Sequence, residues 1–414
     1  MIDRAEILRL AGELSLRPAV VEKDYVLGWL LAGIERNPQL AGKWVFKGGT
    51  CLKKCYFETY RFSEDLDFTI PDKAQLDRDF LVAQFTEISA WLYDKTGIEI
   101  PADRLRFDVW DTPRGSRAGE GRLYYRGPLA GGGDLPRVKL DLTADETLVT
   151  KPVTRPVTHP YSDAPAEGLK ALCYSYEEVF GEKVRALGER TRPRDLYDVV
   201  NLFHNGEFAA AAATIRQIVQ AKCNFKKIPF PSLASLEPAK AELIGEWGNM
   251  LGHQLPALPP IDSFLAALPE FFKWLAGEVA PRALAVYPGA QEATVLRGPA
   301  GSIHVGGPGA SSIEVIRFAA SNRLCVDLDY IDQDGKRSRR VIEPYSLRRT
   351  KDDSILLYAV RADNGQNRSY RVDQIQGARV SDRSFTPRYV VELTPMTSLY
   401  AIPETARGPR GRRR

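Results

Sequence analysis

Two short stretches hold the residues best suited to chemistry: Lys47-Gly48-Gly49-Thr50, which ends a brief apolar run, and Asp65-Leu66-Asp67-Phe68 inside RFSEDLDF. In a strand alternate side chains share a face, so Asp65 and Asp67 project together while Leu66 and Phe68 enter the core. Paired carboxylates offer the hard oxygen donors that suit Mg²⁺. Gly48 and Gly49 let backbone N–H groups approach a phosphate, and a helix starting after Thr50 would aim its positive end at the same anion. Asp141, in RVKLDLT, supplies a third carboxylate from another strand, with Lys139 on the same face two residues away. Together these residues make a cradle for a metal and a triphosphate. Alone, a Gly-Gly pair is usually a turn and an Asp-x-Asp a solvated strand face, so the reading rests on their combination.

Elements that could position this cradle follow from the apolar periodicity. Residues 1–35 read as helix, a turn at Arg17-Pro18, then helix; 44–46 and 66–70 read as strands, 77–95 as an amphipathic helix, and 105–110, 123–125 and 137–143 as strands. The proline-rich KPVTRPVTHPYSDAP reads as a connection over a surface. A helical half follows, with helices near 178–190, 195–204, 209–220, 238–251 and 261–278. GPAGSIHVGGPGASS, at 298–312, has five glycines and two prolines and no charge, the best domain boundary in the chain. Beyond it, 326–332, 341–347, 355–362 and 368–372 are short β-like segments broken by DQDGK and DNGQN turns.

Composition narrows the class. The net charge of +4 is too weak to imply a dedicated nucleic-acid binder. It hides a gradient: residues 313–414 carry 20 basic and 13 acidic residues, leaving 37 basic and 40 acidic before them. Arg407, Arg410, Arg412, Arg413 and Arg414 crowd a Gly/Pro-punctuated tail that cannot build a core, and disorder is expected there. The longest apolar stretch, 26–34, is too short for a bilayer crossing, and the charged MIDRAEILRL start has no secretory h-region, so a cytoplasmic protein is expected. Five scattered cysteines fit reduced thiols, and four dispersed histidines give no zinc-ligand spacing.

Gly-Gly before a helix, Asp-x-Asp on the next strand and a later strand Asp is the motif order of polymerase-β-like nucleotidyltransferases. More narrowly, FKGGTCLKKCY with RFSEDLDFTI, then Lys139-Leu140-Asp141, then EKVRALGERTRPRDLYDVVNLF resemble the AbiEii/AbiGii toxin family, the enzymatic halves of bacterial abortive-infection toxin–antitoxin pairs. The resemblance covers about the first 280 residues. It implies an α+β transferase core (1–165) completed by a helical subdomain (166–285). It further implies that Gly48, Gly49 and Thr50 hold nucleotide phosphates and that Asp65, Asp67 and Asp141 bind metal. Lys183 would contact the triphosphate, Asp195 and Asp198 would form the acidic pair of the last motif, and Arg61 and Ser63 would align the first. Two-metal attack of a hydroxyl on the α-phosphorus of an NTP, releasing pyrophosphate, is the implied reaction. RNA acceptors including tRNA 3′ ends, a cognate antitoxin and phage defence are implied with it. By spacing alone, Arg194 and Asp198 can meet as a structural pair on one helix face, Lys183 can pair with Glu178 or Glu182, and Ser63 can cap a strand entry.

The stretch from Ile313 onward resembles a WYL domain, a small Sm-like β-barrel that senses ligands. Tyr330, Arg340, Glu343-Pro344-Tyr345 and Arg368-Ser-Tyr-Arg371-Val-Asp373-Gln-Ile375 carry the match, while Ile355-Leu356-Leu357 stands where Trp-Tyr-Leu would be. The expected division is a linker at 286–312, the β domain at 313–395 and a basic tail at 396–414. Arg340, Arg368 and Arg371 could form an anion pocket for a phosphate-rich ligand or single-stranded nucleic acid, with Tyr330, Tyr345 or Tyr370 stacking; alternatively the tyrosines fill the core. Two rivals use the same residues: a catalytically silent WYL-type regulator, and a transferase acting on a small molecule or protein.

Overall fold

The computed structural model describes residues 1–14, 16–57, 61–129, 133–204, 212–279, 284–289, 294–296 and 309–393. Helices α1 (Arg4–Leu14) and α2 (Pro18–Arg36) open the chain, the second with proline at its first turn, where a missing N–H costs nothing. Val21, Tyr25, Val26, Leu27, Leu30 and Leu31 are all buried, so α2 is an interior helix, and it packs on the main sheet.

That sheet is built from β1 (Val45–Lys47), β2 (Asp65–Thr69), β3 (Leu105–Asp111), β4 (Arg117–Tyr124), β5 (Arg137–Thr143), β6 (Val153–Val157) and β7 (Leu169–Cys173) in the order β3-β4-β5-β2-β1-β7-β6. Between β1 and β2 lie the short α3 (Gly48–Cys51) and a wider π-helical turn, Leu52–Tyr56. Helix α4 (Arg78–Thr96) starts at Asp77, whose side chain accepts from the Phe80 N–H, and ends at Gly97 in the left-handed region. It covers the apolar face of the sheet, with the Phe85 and Phe107 rings 5.2 Å apart.

The proline-rich run does not cross a surface. Its VTRPV segment is β6, paired antiparallel with β7, with Arg155 and Val157 buried. Pro156 is tolerated because β6 is an edge strand, where a missing N–H breaks no second ladder. Strand β7, which the helical pattern hid, lies parallel to β1 inside the sheet.

Helices α5 (Tyr176–Arg190), α6 (Pro193–His204), α7 (Ala212–Lys226), α8 (Leu233–Leu236), α9 (Lys240–Leu251) and α10 (Ile261–Ala276) form the helical half, α5 packing against both α6 and α7. Among the described residues no helix is long and apolar enough to cross a membrane.

A second, antiparallel sheet contains β8 (Thr294–Val295), β9 (Leu324–Ile331), β10 (Arg337–Arg349), β11 (Ile355–Arg361), β12 (Asn367–Arg371) and β13 (Ile375–Ser384), in the order β12-β11-β10-β9-β13 with β8 on β10. A single 3₁₀ turn, Val372–Gln374, joins β12 to β13, but among the described residues no ladder closes that seam into a full barrel. Helix α11 (Gly309–Ser321) lies between β8 and β9, overlapping the expected linker only at 309–312 and otherwise occupying the start of the expected β domain; Ile313, Ile316, Phe318, Ala319 and Ala320 bury its apolar side. Residues 297–308 of the expected linker and all of the expected tail at 396–414 lie outside the described residues.

Candidate active site

Strand register assembles the carboxylates. Strands β2 and β5 run parallel with Asp67 directly opposite Asp141 and Asp65 opposite Lys139, so all four side chains share one face. On the other side of β2, Lys47 lies opposite Asp67. Burial, then the charge of Asp141, lifts the Asp67 carboxyl to about 6, against the pull of Lys47 and Lys183. Asp65 is raised by the same two causes in the same order. Mutually repelling, half-buried carboxylates on adjacent strands are a donor set that fits a hard divalent cation. The three do not yet converge: Asp141 is held by Lys139 at 2.8 Å, and among the described residues three potential ligand atoms lie within 4.8 Å of one another only at Cys51, Cys55 and Cys173. Those thiols, which look scattered in sequence, are brought together in the core by α3, the π-helical turn after it and β7, and form no disulfide.

The two glycines have separate jobs. Helical hydrogen bonding begins at Gly48, three residues earlier than the sequence suggested, with Gly48 at φ +79. A Cβ there would stand 2.1 Å from Asp67 Oδ2, and one on Gly49 would stand 2.5 Å from Arg61 Nη2. Gly48 therefore makes room for the carboxylate and Gly49 for a guanidinium. Thr50 is fully buried and its hydroxyl donates to the Asp65 carbonyl, which ties α3 to the start of β2. Any phosphate contact in this segment falls to the backbone N–H groups of the first helical turn. We expect Gly48→Ala to lower transfer at least tenfold with the fold retained, because it forces a β-carbon into the left-handed region and displaces Asp67. A radiolabel transfer rate beside a thermal melt checks this; an unchanged rate would count against Asp67 as the critical ligand.

A second layer is ionic. Asp198 on α6 is fully buried and receives both Nε and Nη2 of Arg61 at 2.7 Å, with Lys183 Nζ also at 2.7 Å. Burial would raise its carboxyl, but Arg61 and then Lys183 outweigh that and hold it far below the ordinary range. Thus Asp198 pairs with Arg61, 137 residues away, and the Arg194–Asp198 pair suggested by helical spacing is not the contact made. Lys183 likewise meets Asp198 rather than Glu178 or Glu182. Arg194 instead donates to the Met250 carbonyl at 3.4 Å.

Asp195, also fully buried, holds Arg190 through two bonds of 2.7 and 2.9 Å. Arg190 itself is exposed and acts electrostatically on Asp67, which makes it a triphosphate candidate that motif reading missed. Lys47, which the sequence marks only as the residue before the glycine pair, is buried between Glu182 at 3.3 Å and Glu146 at 3.8 Å. Arg190 and Asp195 stand five residues apart across the α5–α6 turn, a spacing that no single helix face brings together. Ser63 lies half-buried in the extended segment leading into β2.

In the C-terminal sheet the expected tyrosines are packing residues. Tyr345 is fully buried, Tyr370 is 7% exposed, and the Tyr330 hydroxyl donates to Gln374. Arg340 and Arg368 both act on Tyr370, whereas Arg371, three residues along β12 from Arg368, points to the opposite face and pairs with Asp373 at 2.8 Å. The three arginines therefore do not form one pocket.

With this geometry in hand, comparison with known proteins is direct. The family model "Nucleotidyl transferase AbiEii toxin, Type IV TA system" matches residues 29–276, and the WYL domain model matches residues 311–380. Among solved structures the chain is similar to MenT4, a nucleotidyltransferase toxin from Mycobacterium tuberculosis H37Rv, at 19% identity over 67% of this chain and 90% of that one, with a TM-score of 0.44. It is also similar to JHP933 from Helicobacter pylori, at 17% identity over 64% of this chain and 94% of that one, with a TM-score of 0.40. No curated protein sequence matches it. Because the first family model spans more than half of the chain, this protein belongs to the AbiEii family of nucleotidyltransferase toxins and carries a WYL domain after its transferase region.

Proposed function

We propose that the chain transfers a nucleoside monophosphate from an NTP to the hydroxyl of an RNA acceptor, tRNA 3′ ends being the leading class. The observation that carries this reading is the in-register pair Asp67 and Asp141, with Gly48 packed against the Asp67 carboxylate. The hydroxyl oxygen bonds to the α-phosphorus as the bond to the β-phosphate oxygen breaks, and pyrophosphate leaves. Mg²⁺ held by Asp65 and Asp67, with Asp141 for a second ion, would neutralise phosphate charge and lower the pKa of the attacking hydroxyl. Lys183 and Arg190, fixed by Asp198 and Asp195, stabilise the negative charge of the triphosphate and of the departing pyrophosphate. Gly48 and Gly49 let the phosphates lie close to the backbone.

In this reading the enzyme acts in the cytoplasm as the toxic half of a phage-defence pair, restrained by an antitoxin, with residues 1–285 as the transferase and 313–395 as a sensor. Gating by the sensor has a physical route. Arg323, just after α11, donates to the His204 carbonyl at 2.9 Å, at the end of the helix that bears Asp195 and Asp198.

Incubating the full chain with each α-labelled NTP, Mg²⁺ and total RNA should label RNA, and EDTA or Asp67→Ala should abolish the label. Label that survives Asp67→Ala would refute the site; label on protein or small molecules alone would refute the RNA acceptor.

A further inference from the structure

One face of the main sheet remains open beyond the carboxylates. On the inner face of β3–β5, Phe107, Leu123 and Leu140 are buried, and α4 packs against β3 with Phe85 on Phe107. The outer face is the catalytic one, and the same register that aligns Asp67 with Asp141 carries it outward. Lys139 lies opposite Arg122, and Arg122 opposite Arg106, so three cations cross the sheet one row along from Asp141. In the next row Tyr124 lies opposite Arg137. At the far edge Trp110, on the same face as Arg106, is 49% exposed.

These side chains are not explained by packing. A half-exposed tryptophan on a sheet face forfeits much of the burial that such a ring normally gains. The charges are also unbalanced. Arg122 is held by Glu120 at 2.6 Å and Asp108 at 3.1 Å, and Lys139 by Glu120 and Asp141. Arg106 and Arg137 are exposed and, among the described residues, have no carboxylate within ion-pair distance; Arg106 donates only to the neighbouring Leu105 carbonyl.

We infer that this open face of β3–β5 seats the acceptor as single-stranded nucleic acid, bases stacking on Trp110 and Tyr124 and phosphates lying against Arg106 and Arg137. The inference rests on the transferase reading and names its acceptor surface. Trp110 is exposed and Tyr124 half-buried, and aromatic rings beside arginines on strands recognise unpaired bases and their backbone together, with stacking that tolerates any base. A duplex offers no free base faces to such a platform. A strand lying from Trp110 to Tyr124 crosses the row Asp108, Glu120 and Asp141, so it passes beside the carboxylates, with Asp108 and Glu120 turned to Arg122.

The test is fluorescence anisotropy with a labelled single-stranded RNA of about ten nucleotides, within the span such sites occupy, added to the full chain in EDTA, alongside titration with a fluorescent NTP in Mg²⁺. Trp110→Ala should weaken RNA binding about fivefold or more, with Trp110→Phe retaining most of it. Arg106→Glu should weaken it too and reduce the salt dependence by about one counterion. NTP affinity and melting temperature should not change in these variants. Wild-type RNA affinity in both Trp110→Ala and Arg106→Glu overturns the surface. So does a wild-type protein that transfers label to a non-RNA acceptor and binds no RNA, which leaves the transferase reading standing. Conversely, RNA binding that depends on Trp110 in a protein that transfers no label supports the surface and sinks the transferase reading.

Discussion

Asp67→Asn is expected to abolish nucleotidyl transfer while making the metal-free protein harder to melt. In the reaction proposed above, losing the Asp67 carboxylate should cost on the order of a thousandfold in rate, about 4 kcal/mol of transition-state stabilisation. Stability should move the other way. In the folded chain burial and Asp141 raise the Asp67 carboxyl from 3.8 to about 6. Between roughly pH 4 and 6 the folded state therefore binds more protons than the unfolded state, and stability falls as pH rises through that window. Above it, wild type carries the full penalty, at most about 3 kcal/mol and less after solvent screening. Asparagine has no such charge. Its melting temperature in EDTA should exceed that of wild type by a few degrees at pH 7.5 and match it near pH 4. Mg²⁺ should raise the wild-type melt and leave the variant unmoved. A lower melt for Asp67→Asn in EDTA at pH 7.5 would mean that the carboxylates do not repel one another as the register implies.

Asp198→Ala should be the most destabilising single change in the transferase. It leaves Arg61 and Lys183, both buried, without the carboxylate that each meets at 2.7 Å. Removing one partner of a buried ion pair typically costs about 3–5 kcal/mol, because the other charge stays out of water. The loss should also reach the site, since Arg61 packs on Gly49 and donates to Gln254 at 3.1 Å. Because Arg61 and Lys183 overcome burial and hold this carboxyl far below its usual range, its stabilisation is present above about pH 4. It is lost as pH falls below that, so the acid limb of unfolding should be shallower in the variant. Urea melts at pH 7.5 and 3.5 read both effects. A midpoint equal to wild type at pH 7.5 would show that this hub does not carry the helical half.

Particular residues explain how much was readable. The alternation in DLDFT and RVKLDLT gave strands, faces and the aspartates, because burial with period two is a local property. The amphipathic pattern over 77–95 marked α4 for the same reason, and the structure adds the Asp77 cap and the Gly97 end. The run containing VTRPV was misread because its prolines mimic a loop, and only the neighbouring β7 makes it an edge strand. Helix α11 falls mostly in the stretch from 313 assigned to the β domain, where no helical reading was made.

By itself, then, the sequence determined the carboxylates, the glycine pair, the order of the motifs and the helical half that follows them. Each of these is written in adjacent residues. Tertiary structure alone decided that Asp67 lies in register with Asp141, that Asp198 holds Arg61 and Lys183 rather than Arg194, that three thiols gather between α3 and β7, and that Trp110 shares a face with Asp67 and Asp141. Register and long-range ion pairing depend on which strands and helices find one another, and no local spacing encodes that choice.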